Sequence, residues 1–118
     1  MILPHQAPIR FAQEIIEKNE EFIIVSCLFP FNPTLSMISE AAAQSSAAFA
    51  QGDKPLIGFL ISLKNIEQIT EFTEVEYKVK IKKEISFASM TEFSFELINN
   101  NKIYARGFLT IALQDENL

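Results

Sequence analysis

Glu40 and Gln44 are the pair whose types and spacing could do chemistry. Four residues apart on a helix, they stand side by side on one face. The stretch that carries them, Asn32 to Gln51 (NPTLSMISEAAAQSSAAFAQ), is otherwise small or apolar, and Glu40 is its one charge. An ionised carboxylate alone in a dry interior costs several kcal/mol, so such a group must be partnered, neutralised or hydrated. A solitary acid in that setting is a candidate general acid or base, able to move a proton to or from a substrate or water. The plain alternative is a carboxylate that reaches the helix rim or is satisfied by Gln44. Gln44 in turn orients Glu40 or binds substrate, unless it serves only as a packing contact.

Other reactive types are scarce. The chain has one histidine, His5, in an arm with two prolines, where a structural hydrogen bond is the simpler reading. Its one cysteine, Cys27, sits among apolar strand residues with no basic neighbour to favour a thiolate; it excludes an internal disulfide and points to a reducing, cytoplasmic compartment. With three glycines and one histidine, no metal-ligand spacing, phosphate-cradling loop or Ser/His/Asp arrangement is present, so no cofactor or metal is expected. The formal charge of −5 disfavours nucleic acid as a partner. Lys78, Lys80, Lys82 and Lys83 form a basic stretch that reads as a solvated strand face, with docking of an acidic carrier as the alternative.

These residues need elements to hold them. Asn32-Pro33 opens a helix that runs about five turns from Thr34 and is stopped by Gly52 and Pro55. Its three serines, Gln and Glu argue against a membrane span, so a helix buried on all sides is expected. Before it, Ile9–Lys18 is ambiguous between helix and strand, and Glu21–Phe29 is a strand. After it, Leu56–Ile66 alternates poorly, as a strand covered on both faces would. In Glu74–Ser86, Val75, Tyr77, Val79 and Ile81 oppose the lysines; in Met90–Ile98, Phe93, Phe95 and Leu97 oppose Glu92, Ser94 and Glu96. Asn99–Asn101 supplies a tight turn into Lys102–Gln114. At 118 residues this makes one domain. One apolar helix wrapped by a curved antiparallel sheet of about six strands is the α+β hotdog arrangement, here spanning residues 1–118. The N-terminus lacks a basic stretch followed by an apolar run, so no signal peptide is read.

Several short motifs carry a resemblance. Leu3-Pro4-His5 resembles the L-P-H opening of hotdog 3-hydroxyacyl-[acyl-carrier-protein] dehydratases. Phe29-Pro30, Pro33, Glu40-Ala41 and Ala43-Gln44 resemble that family's G-H-F-P-G-x-P loop and E-A-x-A-Q helix. Gly58 to Lys64 (GFLISLK) is similar to the G-F-L-x-S-L-R segment of a smaller dehydratase-like group associated with aryl-polyene biosynthesis, and Ala105-Arg106-Gly107 with Leu113 to the family's last strand. The likeness runs in order along nearly the whole chain.

The resemblance implies an acyl thioester, on acyl carrier protein or CoA, held in a tunnel between two hotdog subunits. A helix carboxylate and a histidine from across the interface would remove water from a 3-hydroxyacyl group. Carried over, the carboxylate is Glu40, the backbone donors for the thioester oxygen lie at Thr34, Leu35 and Ser36, and Phe29, Phe31, Met37 and Phe59 line the tunnel unless they are ordinary core. The departure is that the family's loop histidine falls on Leu28, and the loop is about two residues shorter and lacks its glycines. Leucine cannot take a proton. The readings left open are a dehydratase with an unconventional proton acceptor, a thioesterase using Glu40 and water, and a non-catalytic accessory subunit of a fatty-acid or polyene-type pathway. A homodimer or hotdog heterodimer is expected, since a lone subunit leaves a strand edge and half a tunnel exposed.

Overall fold

The computed structural model describes residues 10–46, 56–87 and 89–115, with 56–60 and 113–115 described by backbone alone. The elements are β1 (Ala12–Lys18), β2 (Phe22–Leu28), α1 (Leu35–Ser46), β3 (Leu56–Gln68), β4 (Glu76–Phe87), β5 (Met90–Asn99) and β6 (Lys102–Asp115). The ambiguous first segment is a strand. Gly52, Pro55, Phe49 and the His5 arm lie outside the described residues.

All six strands join one antiparallel sheet in the order β1-β2-β4-β5-β6-β3, with α1 against β1, β3, β4 and β5. The alternation read from sequence sets the inner face: Ile23, Val25 and Cys27; Tyr77, Val79 and Ile81; Phe93, Phe95 and Leu97; and Leu109 and Ile111 are buried. Val75, grouped with the β4 set, instead precedes the strand and is 37% exposed. Asn100 and Asn101 take φ of 52° and 63°, the left-handed pair that a two-residue hairpin matched to strand twist requires.

Two expectations are corrected. The helix is not buried all round. Ile38, Ala41, Ala42, Ser39, Ser45 and Ser46 face the sheet, while Ser36 and Glu40 lie on the exposed side. Small residues let the helix sit close, and the three buried hydroxyls are satisfied by its own carbonyls: Ser39 donates to Leu35 O, Ser45 to Ala41 O and Ser46 to Ala43 O. The second correction is β3, which is not covered on both faces. It borders only β6, at the sheet's edge, and Ile61 and Leu63 are 55% and 43% exposed. Its weak alternation reflects two register shifts, one at Asn65, whose φ is 55°.

The bulge at Asn65 lays Ile66 over Gly107 of β6. A Cβ at Gly107 would collide with Ile66 Cδ1 and stand 3.2 Å from both Ile66 Cα and Phe95 Cε2. Gly107→Ala is therefore expected to destabilise by about 1–2 kcal/mol, because half-buried Ile66 and buried Phe95 must shift. Urea denaturation measures this, and a variant as stable as the parent would show the contact to be soft.

Candidate functional site

The helix start positions the first part of the site. Asn32-Pro33 does not cap it; Thr34 does, its Oγ1 accepting from Met37 N at 3.2 Å while its carbonyl accepts from Ile38 N at 3.1 Å. The signal was present in the sequence, since a threonine three residues before Met37 is itself a favoured cap, ranking just below Asn. With those two donors used, the N–H groups of Leu35 and Ser36 meet no acceptor among the described residues. They are two of the three backbone positions carried over for holding a thioester oxygen.

Glu40 lies one turn on from Ser36, along the same exposed side. Gln44 follows after another turn and is half-buried. Its Oε1 accepts from the backbone N–H groups of Phe11 and Ala12 at 2.8 and 3.0 Å. Two donors on one atom settle which way the amide points, so Nε2 must face the other way, and it donates to Glu40 Oε2 at 3.4 Å. Gln44 thus joins the start of β1 to the helix, a link not foreseen for it, and places its amide N–H beside the Glu40 carboxylate. The link to β1 had no sequence signal, because it crosses more than thirty positions of chain.

The other positions divide. Phe29 is core, 2% exposed, with its ring 5.0 Å from Phe11 and 6.0 Å from Tyr77. Phe31, 60% exposed, stays on the surface of the loop before the helix, and Leu35 and Met37 are half-buried against the core. The side chain of Phe59 lies outside the described residues. Among the described residues, concavities of about 550 and 630 Å³ open on the sheet, and neither of these is lined by Glu40 or Gln44.

Leu28, where the family's histidine would fall, follows buried Cys27 at the end of β2 and is 46% exposed. Strand alternation turns it to the sheet face opposite Ile23, Val25 and Cys27, away from α1. A ring there points the wrong way, in addition to the short loop. Leu28→His is therefore expected to leave dehydration of a 3-hydroxyacyl thioester at the parent level; robust new activity would refute the alternation argument.

Cys27 is inert by its setting. Burial pushes its thiol from 9.0 up to about 11, against a smaller opposing effect from a hydrogen bond with Ser45. Lys78, Lys80 and Lys82 lie on the outer face, whereas Lys83 falls opposite buried Phe93 on the other; Lys80 stands opposite Glu96, which stands opposite Arg106, which pairs with Glu67 at 3.2 Å, a ladder of alternating sign across four strands. Lys80 also lies 4.5 Å from the Phe22 ring centroid. No cluster of His, Cys, Asp and Glu suited to a metal occurs among the described residues, and no described helix is long and apolar enough to cross a membrane.

No protein-family model matches the chain, and no curated protein matches it significantly. Solved structures do. The dehydratase heterocomplex ApeI:P from Xenorhabdus doucetiae superposes with a TM-score of 0.72 at 14% identity, over 98% of this chain and 90% of that one. A variant of the thioesterase PA1618 from Pseudomonas aeruginosa gives 0.68 at 12% identity, over 86% and 80%. Thioesterase HI1161 from Haemophilus influenzae gives 0.66 at 13%, over 86% and 78%. Together with a single helix held by one six-stranded antiparallel sheet, these likenesses establish the fold: the chain is a hotdog-fold protein.

Proposed function

We propose that this protein binds acyl thioesters, carried on acyl carrier protein, and that Glu40 is its acid–base group. The observation that carries the reading is the arrangement on one side of α1. The helix's single carboxylate is oriented by Gln44, and the Leu35 and Ser36 amides lie less than two turns before it. A thioester carbonyl oxygen at those amides would be polarised by two N–H groups and the helix N-terminus. Its acyl chain would run along half-buried Met37 and exposed Phe31.

The site is open in a single chain, with Glu40, Ser36 and Phe31 exposed and the outer edge of β3 without a neighbouring strand among the described residues. A second hotdog chain joined through β3 would continue the sheet, cover Ile61 and Leu63, and close the site. The dehydratase reading needs a proton acceptor besides Glu40, from that second chain or from an unconventional group. Thioester hydrolysis is the second reading, favoured by the outward turn of Leu28. In it Glu40 takes a proton from water, the water oxygen attacks the carbonyl carbon, and the carrier thiol leaves with a proton. An accessory subunit that binds without turnover is the third.

Purified protein and Glu40→Gln, each incubated with 3-hydroxyacyl and saturated acyl carrier thioesters, test the assignment. Product from either substrate that disappears in the variant supports it. Equal turnover in both proteins removes Glu40 from the mechanism.

A further inference from the structure

The face that α1 buries gives the helix little rotational direction. It is made of Ile38, Ala41, Ala42 and three serines, and burial of small apolar surface is non-directional. The serine hydroxyls are donated to the helix's own carbonyls. A directional tie comes from Gln44, on whose Oε1 Phe11 N and Ala12 N converge at 2.8 and 3.0 Å.

The segment that supplies those two amides is cross-bonded within itself. Arg10 donates from Nε to Ala12 O at 2.8 Å and from Nη2 to Gln13 O at 2.9 Å. Gln13 Nε2 donates back to Arg10 O at 3.1 Å and Phe11 O at 3.2 Å. Phe11 also reaches the chain that enters the helix. Its carbonyl accepts from Leu28 N at 2.9 Å, and its ring, 4% exposed, lies 5.0 Å from the Phe29 ring. One residue therefore grips both the approach to α1 and, through Gln44, its third turn.

We propose that Phe11 and Ala12 are positioning residues of the Glu40 site: through Gln44 they set the rotation of α1, and with it where the carboxylate points. The inference rests on Glu40 being the acid–base group. The relay is short. A side-chain amide is planar, so two donors on its oxygen also fix its nitrogen, which stands 3.4 Å from Glu40 Oε2. With side chains reaching about 5–6 Å from the helix axis, a rotation of roughly 10° moves that carboxylate by about 1 Å. A displacement of about 1 Å at a reacting group can cost about 10²-fold in rate.

One of the two donors can be removed alone. Ala12 is the first residue of an edge strand, a position that accepts proline, and Ala12→Pro deletes the N–H that reaches Gln44. Ala12→Gly keeps that N–H, and Phe11→Leu keeps the main chain while removing the ring contact with Phe29. Turnover of acyl carrier thioesters is measured for each, alone and combined with Gln44→Glu, whose carboxylate has no donor to offer Glu40. Ala12→Pro should lower kcat about tenfold and Phe11→Leu about threefold, with KM within about twofold. Ala12→Gly should lose less than about twofold, because the donor is retained. In the Gln44→Glu background both losses should shrink below about twofold, whereas a merely structural role would keep them whole. Losses undiminished by Gln44→Glu, or parent-like kcat in Phe11→Leu and Ala12→Pro, would overturn the proposal and leave Glu40 assigned. If circular dichroism shows Ala12→Pro unfolded, Phe11→Leu with and without Gln44→Glu decides. A parent that turns over no acyl thioester would overturn the Glu40 assignment and this inference with it.

Discussion

Glu40→Gln is expected to lower turnover of acyl carrier thioesters by about 10²–10⁴-fold, the usual contribution of a positioned general acid or base. The amide keeps the size of the side chain and an oxygen that can accept from Gln44 Nε2, so the geometry of the helix face is retained. What it loses is the ability to take a proton. Because Glu40 lies on the exposed side of α1, its replacement should change stability by no more than about 0.5 kcal/mol. The two readouts separate chemistry from folding: lost product with an unchanged denaturation midpoint assigns the carboxylate to the reaction. A parent that binds acyl carrier thioester without releasing product would instead assign the chain to the accessory class.

The second large effect is expected at Gln44, through two variants that divide its roles. Gln44→Leu removes the acceptor shared by Phe11 N and Ala12 N and should cost about 2–3 kcal/mol, since two half-buried amides lose their partner. Gln44→Glu keeps an acceptor for both amides but puts a second carboxylate where Glu40 had a donor. Like charges four apart on a helix cost only about 0.2–0.5 kcal/mol, so this variant should fold nearly as well as the parent. Its turnover should nevertheless fall at least tenfold, in kcat rather than KM, because the group that orients Glu40 has become one that repels it. Parent-like kcat in Gln44→Glu would show the 3.4 Å contact to be incidental.

How much of this was legible in the chain follows from what each feature depends on. The alternation in Tyr77–Ile81 and Phe93–Leu97 is a property of consecutive residues, and those strands form with the expected faces. The same rule misleads beyond Lys83. A single inserted residue there reverses which face Ile85 and Phe87 occupy, and a bulge has no signature in residue types alone.

Local chemistry therefore determined the helix with its solitary acid, the Asn100-Asn101 turn and the strands from β2 to β6, while the first segment became a strand by pairing with β2. Only the tertiary structure decided that α1 buries one face and exposes Glu40, that β3 ends up on the sheet edge, and that Gln44 ties the helix to β1. Those outcomes depend on the order of strands in the sheet and on contacts between residues far apart in the chain. Periodicity reports which residues share a face; it says nothing about what, if anything, comes to cover that face.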